Sequence, residues 1–255
     1  MKNKLLSLIL FSFTSSAIHA GLISEDFNAG LPSGATLYGN ASIVNNEAVL
    51  TPDANSQHGA LSFTDQDSGA AINNWSAAFD FRLDQGNGTG GADGISLSFS
   101  RLGNVGLSGL SHGVGEEGTN TGIAVGFDTW NNGGIDNNSG NHLSLRYGGA
   151  LLALTNIPTS TFFLNDGVTR NTMVTMNNGL LDVSINGTSF INHNIVGWSA
   201  YAGQFNFAGR TGGARNRQAI DNFIGTTTTN QVPEPNPLLL MSLGLFAFAY
   251  SRKKK

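Results

Sequence analysis

The segment 126–142, GFDTWNNGGIDNNSGNH, carries the densest set of residues that can do chemistry. Asp128, Asn132 and Asp136 offer hard oxygen donors, and the backbone carbonyl of Trp130 can join them. Ca²⁺ takes about six to eight oxygen ligands, and no soft ligand lies in the segment to favour Zn²⁺ or Cu. The segment is therefore a candidate calcium site, although an Asp/Asn-rich loop taken alone is more often a solvated turn.

A second group of residues offers the contacts that a sugar requires. Carbohydrate sites pair hydroxyls with a carboxylate and an amide, and they place an aromatic face against the C–H side of the ring. Asp93, Asn132 and Trp130 supply one of each. Gly94, which follows Asp93 in the sequence GADG, lets a ligand approach closely. The alternatives are a plain turn at Asp93 and a core position for Trp130.

A glycine-rich loop, GRTGGARNR at 209–217, brings three arginines close to the last apolar segment of the domain. Arg210 is a candidate for binding an acidic sugar. It can also form an ion pair with a carboxylate such as Asp221, and we predict the ion pair.

Short segments of alternating apolar and polar residues predict the strands that must position these groups. The segments are 35–51, read as two strands around Asn45 and Asn46, then 74–83, 94–100, 122–130, 142–149, 169–187 and 203–209. Asn177-Asn178-Gly179 predicts a hairpin turn within 169–187. Since no segment of the domain keeps a helical period over three turns, the pattern favours an antiparallel β-sandwich or jelly roll.

Composition narrows the class of protein. The formal net charge is −4 with only 12% charged residues, and there is no basic patch of the kind that binds nucleic acid. Cysteine is absent, so stability must come from a large core or from metal. Residues 21–225 are enough for one sizeable domain.

Both ends of the chain predict targeting segments. Residues 1–20 have the basic start, short apolar run and Ala-rich cleavage site of a secretory signal peptide. We predict a helix whose cleavage removes the chain up to and including Ala20. Residues 226–231 read as a polar linker before a tail at 232–255. The tail joins VPEP, an apolar run from Leu238 to Tyr250 and a basic end that fits the cytoplasmic side. As a helix the run reaches only about 20 Å, short of a full bilayer core.

The order of these three tail parts resembles the PEP-CTERM sorting tail of Gram-negative bacteria. The resemblance implies that an exosortase-type membrane enzyme recognises Pro233, Glu234 and Pro235 and cleaves the tail. It also implies transient anchoring in the inner membrane, delivery to the cell surface or release, and a role with exopolysaccharide. An ordinary tail anchor is the alternative.

GADG at 91–94, GFDTWNN at 126–132 and GRTGG at 209–213, in this order, resemble the concanavalin A-like, legume (L-type) lectin superfamily. The resemblance implies a jelly roll of two large antiparallel sheets. It also implies that Asp93 binds sugar and is set by a cis peptide from Ala92.

The same resemblance assigns a Ca²⁺ site, whose ligands are Asp128, the Trp130 carbonyl, Asn132 and Asp136; Asn132 also touches sugar. A transition-metal site would join Asp128 and Asp136 with His142 and a glutamate two residues before Asp128. That position is Gly126 here, so the second metal lacks one ligand and His142 has a plain loop role as its alternative.

The carboxylates argue against an enzyme. A retaining glycosidase needs two carboxyl groups about 5–5.5 Å apart. None of the domain's glutamates forms the Glu-x-Asp-x-(x)-Glu pattern of related laminarinase-type enzymes, and the adjacent Glu116 and Glu117 would point apart on a strand. We therefore expect an exported, Ca²⁺-dependent, lectin-like binding protein. The alternatives are a structural matrix or adhesion protein without sugar binding and, less favoured, a glycan hydrolase.

Overall fold

The computed structural model describes residues 19–86, 91–110 and 115–229. The predicted signal helix up to residue 18, the apolar C-terminal helix and the sorting residues Pro233, Glu234 and Pro235 lie outside these ranges. Within the described ranges, no helix is long and apolar enough to cross a membrane.

Strands form nearly all of the regular structure in these ranges. In chain order they are β1 (His19–Glu25), β2 (Ala35–Gly39), β3 (Ser42–Val44), β4 (Glu47–Thr51), β5 (His58–Phe63), β6 (Asn74–Leu83), β7 (Gly94–Arg101), β8 (Ile123–Asp128), β9 (His142–Tyr147), β10 (Ala150–Asn156), β11 (Arg170–Asn177), β12 (Leu180–Ile185), β13 (Thr188–Asn194), β14 (Gly203–Arg210) and β15 (Gln218–Thr229). Two short 3-10 turns accompany them, at Gly115–Glu117 and Gly133–Asp136.

The strands make two sheets. An eight-stranded sheet has the order β13-β12-β11-β6-β15-β4-β3, with β1 also paired to β15, and a seven-stranded sheet has the order β10-β9-β8-β7-β14-β5-β2. Neighbours are antiparallel, as in β6 with β11 and β7 with β14. The predicted all-β sandwich of two antiparallel sheets is confirmed.

The core lies between the sheets and is rich in phenylalanine. Along β6 every second residue is buried, which is the period that turns one face of a strand inward. Phe79 of β6 meets Phe127 of β8 and Phe207 of β14 edge-on, with ring centroids 5.9 Å and 5.0 Å apart. Because β6 belongs to one sheet and β8 and β14 to the other, these rings join the two layers.

The segment 35–51 differs from its prediction. It forms three strands, and β2 belongs to the seven-stranded sheet while β3 and β4 belong to the other. The predicted turn at Asn45 and Asn46 connects β3 to β4, and both residues have positive φ, 53° and 64°. Asn tolerates this left-handed conformation better than most residues, which explains the turn. The predicted hairpin between β11 and β12 is present as expected.

The predicted linker also differs in part, because residues 226–229 belong to β15. Thr226 pairs with Ser76 of β6 in the register, and Thr227 and Thr229 are buried. A run of β-branched threonines suits a strand, and this explains why a polar composition did not make a linker here. The compact unit therefore spans Ala20–Thr229, beyond the expected boundary at residue 225.

The outer face of the seven-stranded sheet is covered at β7. Ser96, Ser98 and Ser100 alternate with the core residues of this strand, yet they too are buried. Ser96 donates a hydrogen bond through Oγ to the carbonyl of Gly115, and the backbone N–H of Thr119 donates to Ser98 Oγ over 3.0 Å. These bonds hold the 3-10 turn at Gly115–Glu117 against the sheet, close to the end of β7 where GADG lies.

Candidate sugar and metal site

Strand register gathers the predicted site residues into one row across the seven-stranded sheet. His142 lies opposite Asp128, Asp128 opposite Gly94, and Gly94 opposite Arg210. Paired strands are about 4.8 Å apart, so residues that are far apart in the sequence become neighbours at one end of the sheet. The loops that follow these strands bring Trp130, Asn132 and Asp136 to the same end.

Asp93 enters this row from the loop before β7. The Ala92–Asp93 peptide bond is cis, as the sequence resemblance implies. The Asp93 carbonyl accepts hydrogen bonds from the backbone N–H of Thr129 over 2.8 Å and from the Thr129 hydroxyl over 3.1 Å. Gly94 has φ +144°, and a Cβ there would lie 2.2 Å from the carbonyl oxygen of Phe127. Glycine is therefore required where β7 meets β8.

A second cluster lies beside Asp93. Asp128, Asp136 and His142 are all buried, and each offers a ligand atom within 4.8 Å of the others. The Asp128 carboxylate accepts the backbone N–H of Trp130 over 2.7 Å, and the Asp136 carboxylate accepts the backbone N–H of Asn132. These two bonds fold the loop around both carboxylates, which places the Trp130 and Asn132 backbone at the cluster.

The orientation of His142 suits metal binding. Its Nδ1 lies 2.9 Å from the carbonyl of Ser139, which can only accept, so Nδ1 carries the proton. Its Nε2 then presents a lone pair, 3.6 Å from Asp128 Oδ2 and 4.0 Å from Asp136 Oδ1. Burial lowers the pKa of His142, which favours this neutral form. Three acceptors thus face one another, the arrangement that a cation between them would satisfy.

The electrostatics of the cluster also favour a cation. Burial, together with the nearby charges of Glu116, Asp136 and Asp93, raises the pKa of Asp128 to about 8. A carboxylate in such a place is costly when ionised without a positive partner. Asp128 and Asp136 supply hard carboxylate oxygens to this cluster, and His142 supplies a nitrogen.

The absence of a glutamate at position 126, where the predicted transition-metal site requires one, has a structural cause. At Gly126, a Cβ would lie 2.5 Å from both the carbonyl oxygen of Glu116 and Ser144 Oγ. The 3-10 turn packed on β8 therefore occupies the space that a glutamate side chain would need. His142 contributes its nitrogen without the carboxylate that the resemblance assigns to this position.

Arg210 forms ion pairs with carboxylates, as predicted, but its partners are Asp93 and Glu116 and not Asp221, the partner suggested from the sequence. Its Nε lies 3.2 Å from Asp93 Oδ2, and its Nη1 donates to Glu116 Oε1 over 3.3 Å. Arg210 ends β14, whereas Asp221 lies within β15 of the other sheet. The register of β14 with β7 is what directs Arg210 to Asp93.

Glu116 is a site residue that sequence reasoning missed. It is 5% exposed, and burial raises its pKa to about 7. Its neighbour Glu117 pairs instead with Arg146 over 2.9 Å, so the two acids do point to different partners, on a 3-10 turn rather than a strand. The available signal was an acid in a four-residue segment that begins and ends with glycine, GEEG at 115–118, similar to GADG at 91–94.

A pocket of about 350 Å³ opens over this end of the sheet. It is lined by Asp93, Trp130, Asn132, Arg210, Gly212, Gly213 and Ala214. Trp130 is 38% exposed and lines the pocket, so it is not a core residue. The carboxylate, the amide and the aromatic ring that the sequence proposed for sugar contacts therefore line one concave surface.

Two family models match the chain. The legume-like lectin family matches residues 25–150, a range that contains Asp93 and the metal cluster, and the PEP-CTERM protein-sorting motif matches residues 231–254. Both resemblances drawn from the sequence are confirmed. No curated protein sequence matches the chain.

Solved structures of legume and L-type lectins share the fold. The lectin from Bauhinia forficata in complex with GalNAc is 17% identical, with 83% of this chain and 99% of that chain covered and a TM-score of 0.63. Basic winged bean lectin with Tn-antigen is 14% identical over 83% and 99%, with a TM-score of 0.64. The Ca²⁺/Man3GlcNAc-bound exoplasmic/lumenal domain of VIP36 is 18% identical over 81% and 90%, with a TM-score of 0.58.

Proposed function

We propose that this chain, in which a legume-like lectin segment precedes a PEP-CTERM sorting motif, is an exported, Ca²⁺-dependent carbohydrate-binding protein without catalytic activity. The observation that carries the proposal is the pocket lined by Asp93, Trp130 and Asn132 directly beside the buried Asp128, Asp136 and His142 cluster. The solved lectins named above include forms bound to Ca²⁺ and to sugars, which supports the same use of this fold.

Sugar recognition would divide among three side chains. The Asp93 carboxylate accepts hydrogen bonds from two neighbouring hydroxyls, and the Asn132 amide can both donate and accept. The half-exposed ring of Trp130 offers the apolar face for the C–H side of a pyranose. Burial raises the pKa of Asp93, whereas the adjacent Arg210 opposes that shift and favours the acceptor form.

A bound calcium ion would hold the 126–142 loop in the conformation that binds sugar. Asp128, Asp136, Asn132 and the carbonyl of Trp130 are the residues that would hold the ion. Because Trp130 and Asn132 belong to both sets, the ion neutralises the buried carboxylates and also fixes the two sugar-contacting side chains. Calcium dependence of sugar binding follows from this sharing.

The sorting motif supports delivery to the cell surface of a Gram-negative bacterium. We propose that the tail anchors the chain transiently in the inner membrane, that an exosortase-type enzyme cleaves it at Pro233-Glu234-Pro235, and that the lectin domain then acts in the exopolysaccharide matrix.

A glycan array probed with the purified full chain tests the proposal. We expect binding in millimolar Ca²⁺, loss of binding in a chelator and loss in the Asp93→Asn variant. Asp26→Asn is the matched control, because Asp26 is an exposed carboxylate outside the pocket. A folded protein that binds no glycan in Ca²⁺ would contradict the proposal and favour a structural matrix protein.

A further inference from the structure

Glu116 reaches the pocket region from outside the set of strands that form it. It lies in the 3-10 turn Gly115–Glu117, and its own carbonyl packs where Gly126 has no side chain. The Glu116 side chain is almost completely buried. Its Oε2 has no hydrogen-bond partner within the described ranges, whereas Oε1 accepts from Arg210. A buried carboxylate is stable only with a positive partner, and Arg210 is that partner.

Arg210 is thereby shared between two acids. Its Nη1 is 3.3 Å from Glu116 Oε1, and its Nε is 3.2 Å from Asp93 Oδ2. A guanidinium group is planar and rigid, so fixing one of its nitrogens on Glu116 fixes the edge that faces Asp93. Arg210 remains 31% exposed at its side chain and lines the pocket.

Building on the proposed sugar site, we propose that Glu116 is a positioning and specificity residue, which holds Arg210 against Asp93 and makes the pocket prefer neutral sugars to uronic acids. Asp93 Oδ2 is in ion-pair contact with Arg210 Nε, although Nε makes no hydrogen bond within the described residues, and the other Asp93 oxygen would accept the sugar hydroxyls. Glu116 therefore acts through Arg210 and does not itself touch the sugar.

The net charge around Arg210 explains why the pocket should prefer neutral sugars to uronic acids. One guanidinium lies between two carboxylates, so this part of the pocket carries a net negative charge when both acids are ionised. A uronate must approach that surface and compete with Asp93 and Glu116 for Arg210. A neutral hexose can form hydrogen bonds with both the donors and the acceptors of the pocket and carries no charge for the two acids to repel.

The test compares Glu116→Gln with wild type on matched glycan pairs at pH 8, above the pKa of about 7 of Glu116, where its carboxyl group is ionised. Mannose, glucose and galactose conjugates are arrayed beside mannuronate, glucuronate and galacturonate conjugates, which differ only at C6. Removing the Glu116 charge should lower the neutral-to-uronate binding ratio about tenfold or more, since one close charge is taken away from the arginine. A merely structural role would weaken both members of each pair equally and leave the ratio unchanged.

Glu117→Gln is the matched control, because it makes the same chemical change at the next residue, which pairs with Arg146. Glu116→Asp keeps the charge and should retain the neutral preference if Glu116→Gln proves too unstable to assay. An unchanged ratio in Glu116→Gln, or the same change in Glu117→Gln, would overturn the proposal.

A measurement without sugar separates this inference from the proposed function. In ¹⁵N NMR spectra of the full chain, a held guanidinium gives separate resonances for its two Nη groups. Arg210, identified by an Arg210→Lys variant, should show separate signals in wild type and merged signals in Glu116→Gln. Merged signals in wild type overturn the positioning role. Separate Arg210 Nη signals in a protein that binds no glycan would overturn the proposed function, and with it the role of Glu116 in sugar specificity.

Discussion

Two acidic pockets of this domain invite comparison. The candidate sugar pocket, about 350 Å³, lies at the end of β7, β8 and β14, next to the candidate metal cluster of Asp128, Asp136 and His142. The second, about 240 Å³, lies beside β1 and β15 and is lined by Ser24, Glu25, Asp26, Asn222, Phe223 and Ile224. We call the second one the β1–β15 pocket. Both hold aspartate within reach of an asparagine, so residue content alone does not tell them apart.

The difference lies in burial. In the β1–β15 pocket Asp26 is exposed, and hydrogen bonds from the backbone and side chain of Asn28 lower its pKa. Asp93 in the first pocket and Asp128 in the metal cluster beside it are each 7% exposed, and burial raises both pKa values. The exposed Asp26 is stabilised by water without a ligand. Because strand register aligns Asp93 and Asp128 away from water, a positive partner would stabilise their ionised forms, which supports a ligand site at this end of the sheet.

The largest expected effect is on sugar affinity. Asp93→Asn should weaken binding of the strongest array glycan about 10- to 100-fold, because a charged acceptor is replaced by an amide at a hydrogen-bonding position. Titration calorimetry measures the change. Asp26→Asn, the same substitution in the β1–β15 pocket, should leave the affinity unchanged, and an equal loss there would remove the distinction between the two pockets.

Calcium should stabilise the protein through the first pocket only. A ligand bound to the native state at 100 times its Kd adds about 2.7 kcal/mol, which raises Tm by about 5–10 °C in a domain of this size. Differential scanning calorimetry with and without Ca²⁺ should show this shift in wild type and in Asp26→Asn, but not in Asp128→Asn. A shift that survives Asp128→Asn would place the ion elsewhere.

Calcium affinity should also depend on pH. Since burial raises the pKa of Asp128 to about 8, its carboxyl must lose a proton before it can bind the ion. Affinity measured by calorimetry should therefore strengthen as the pH rises from 6 to about 8. An affinity independent of pH over this range would mean that Asp128 does not ligate the ion.

Replacing Trp130 should have a smaller effect, which appears in glycan binding but not in calcium binding. Trp130→Ala removes the ring from the sugar pocket and should weaken glycan binding about 3- to 10-fold, the range for one aromatic contact. Its proposed calcium ligand is the backbone carbonyl, which alanine retains, so the Ca²⁺-dependent rise in Tm should persist. Loss of both properties together would mean that the ring holds the loop instead of contacting the sugar.

The smallest expected effect is a pH slope in the metal-free protein. Burial raises the pKa of Glu116 from 4.5 to about 7, so between these values the unfolded chain loses a proton that the folded chain retains. The contribution of Glu116 to stability is therefore fully present below pH 4.5 and is lost as the pH rises through this window, with about 2–4 °C of Tm for each kcal/mol. Asp128, whose pKa is raised to about 8, adds a slope of the same sign, so Glu116→Gln should reduce the slope of Tm against pH without abolishing it, and Glu117→Gln should leave it unchanged.

The features that the sequence predicted are those marked by a local pattern of residues along the chain. Alternation located β6, β7, β8 and the β11–β12 hairpin because large apolar residues alternate with small or polar ones along these strands, and motif order located Asp93 and the 126–142 loop. It did not predict the partner of Arg210, because a register across three strands decides it. It did not predict Glu116 either, since only the close packing of a 3-10 turn on Gly126 brings that acid to the pocket.

A crystal structure of the full chain grown with Ca²⁺ and the strongest array glycan tests the central claim most directly. We predict an ion bound by Asp128, Asn132, Asp136 and the Trp130 carbonyl, with the sugar hydroxyls on Asp93 and Asn132. A glycan bound at the β1–β15 pocket, or a sugar on Asp93 with no ion beside it, would contradict the account.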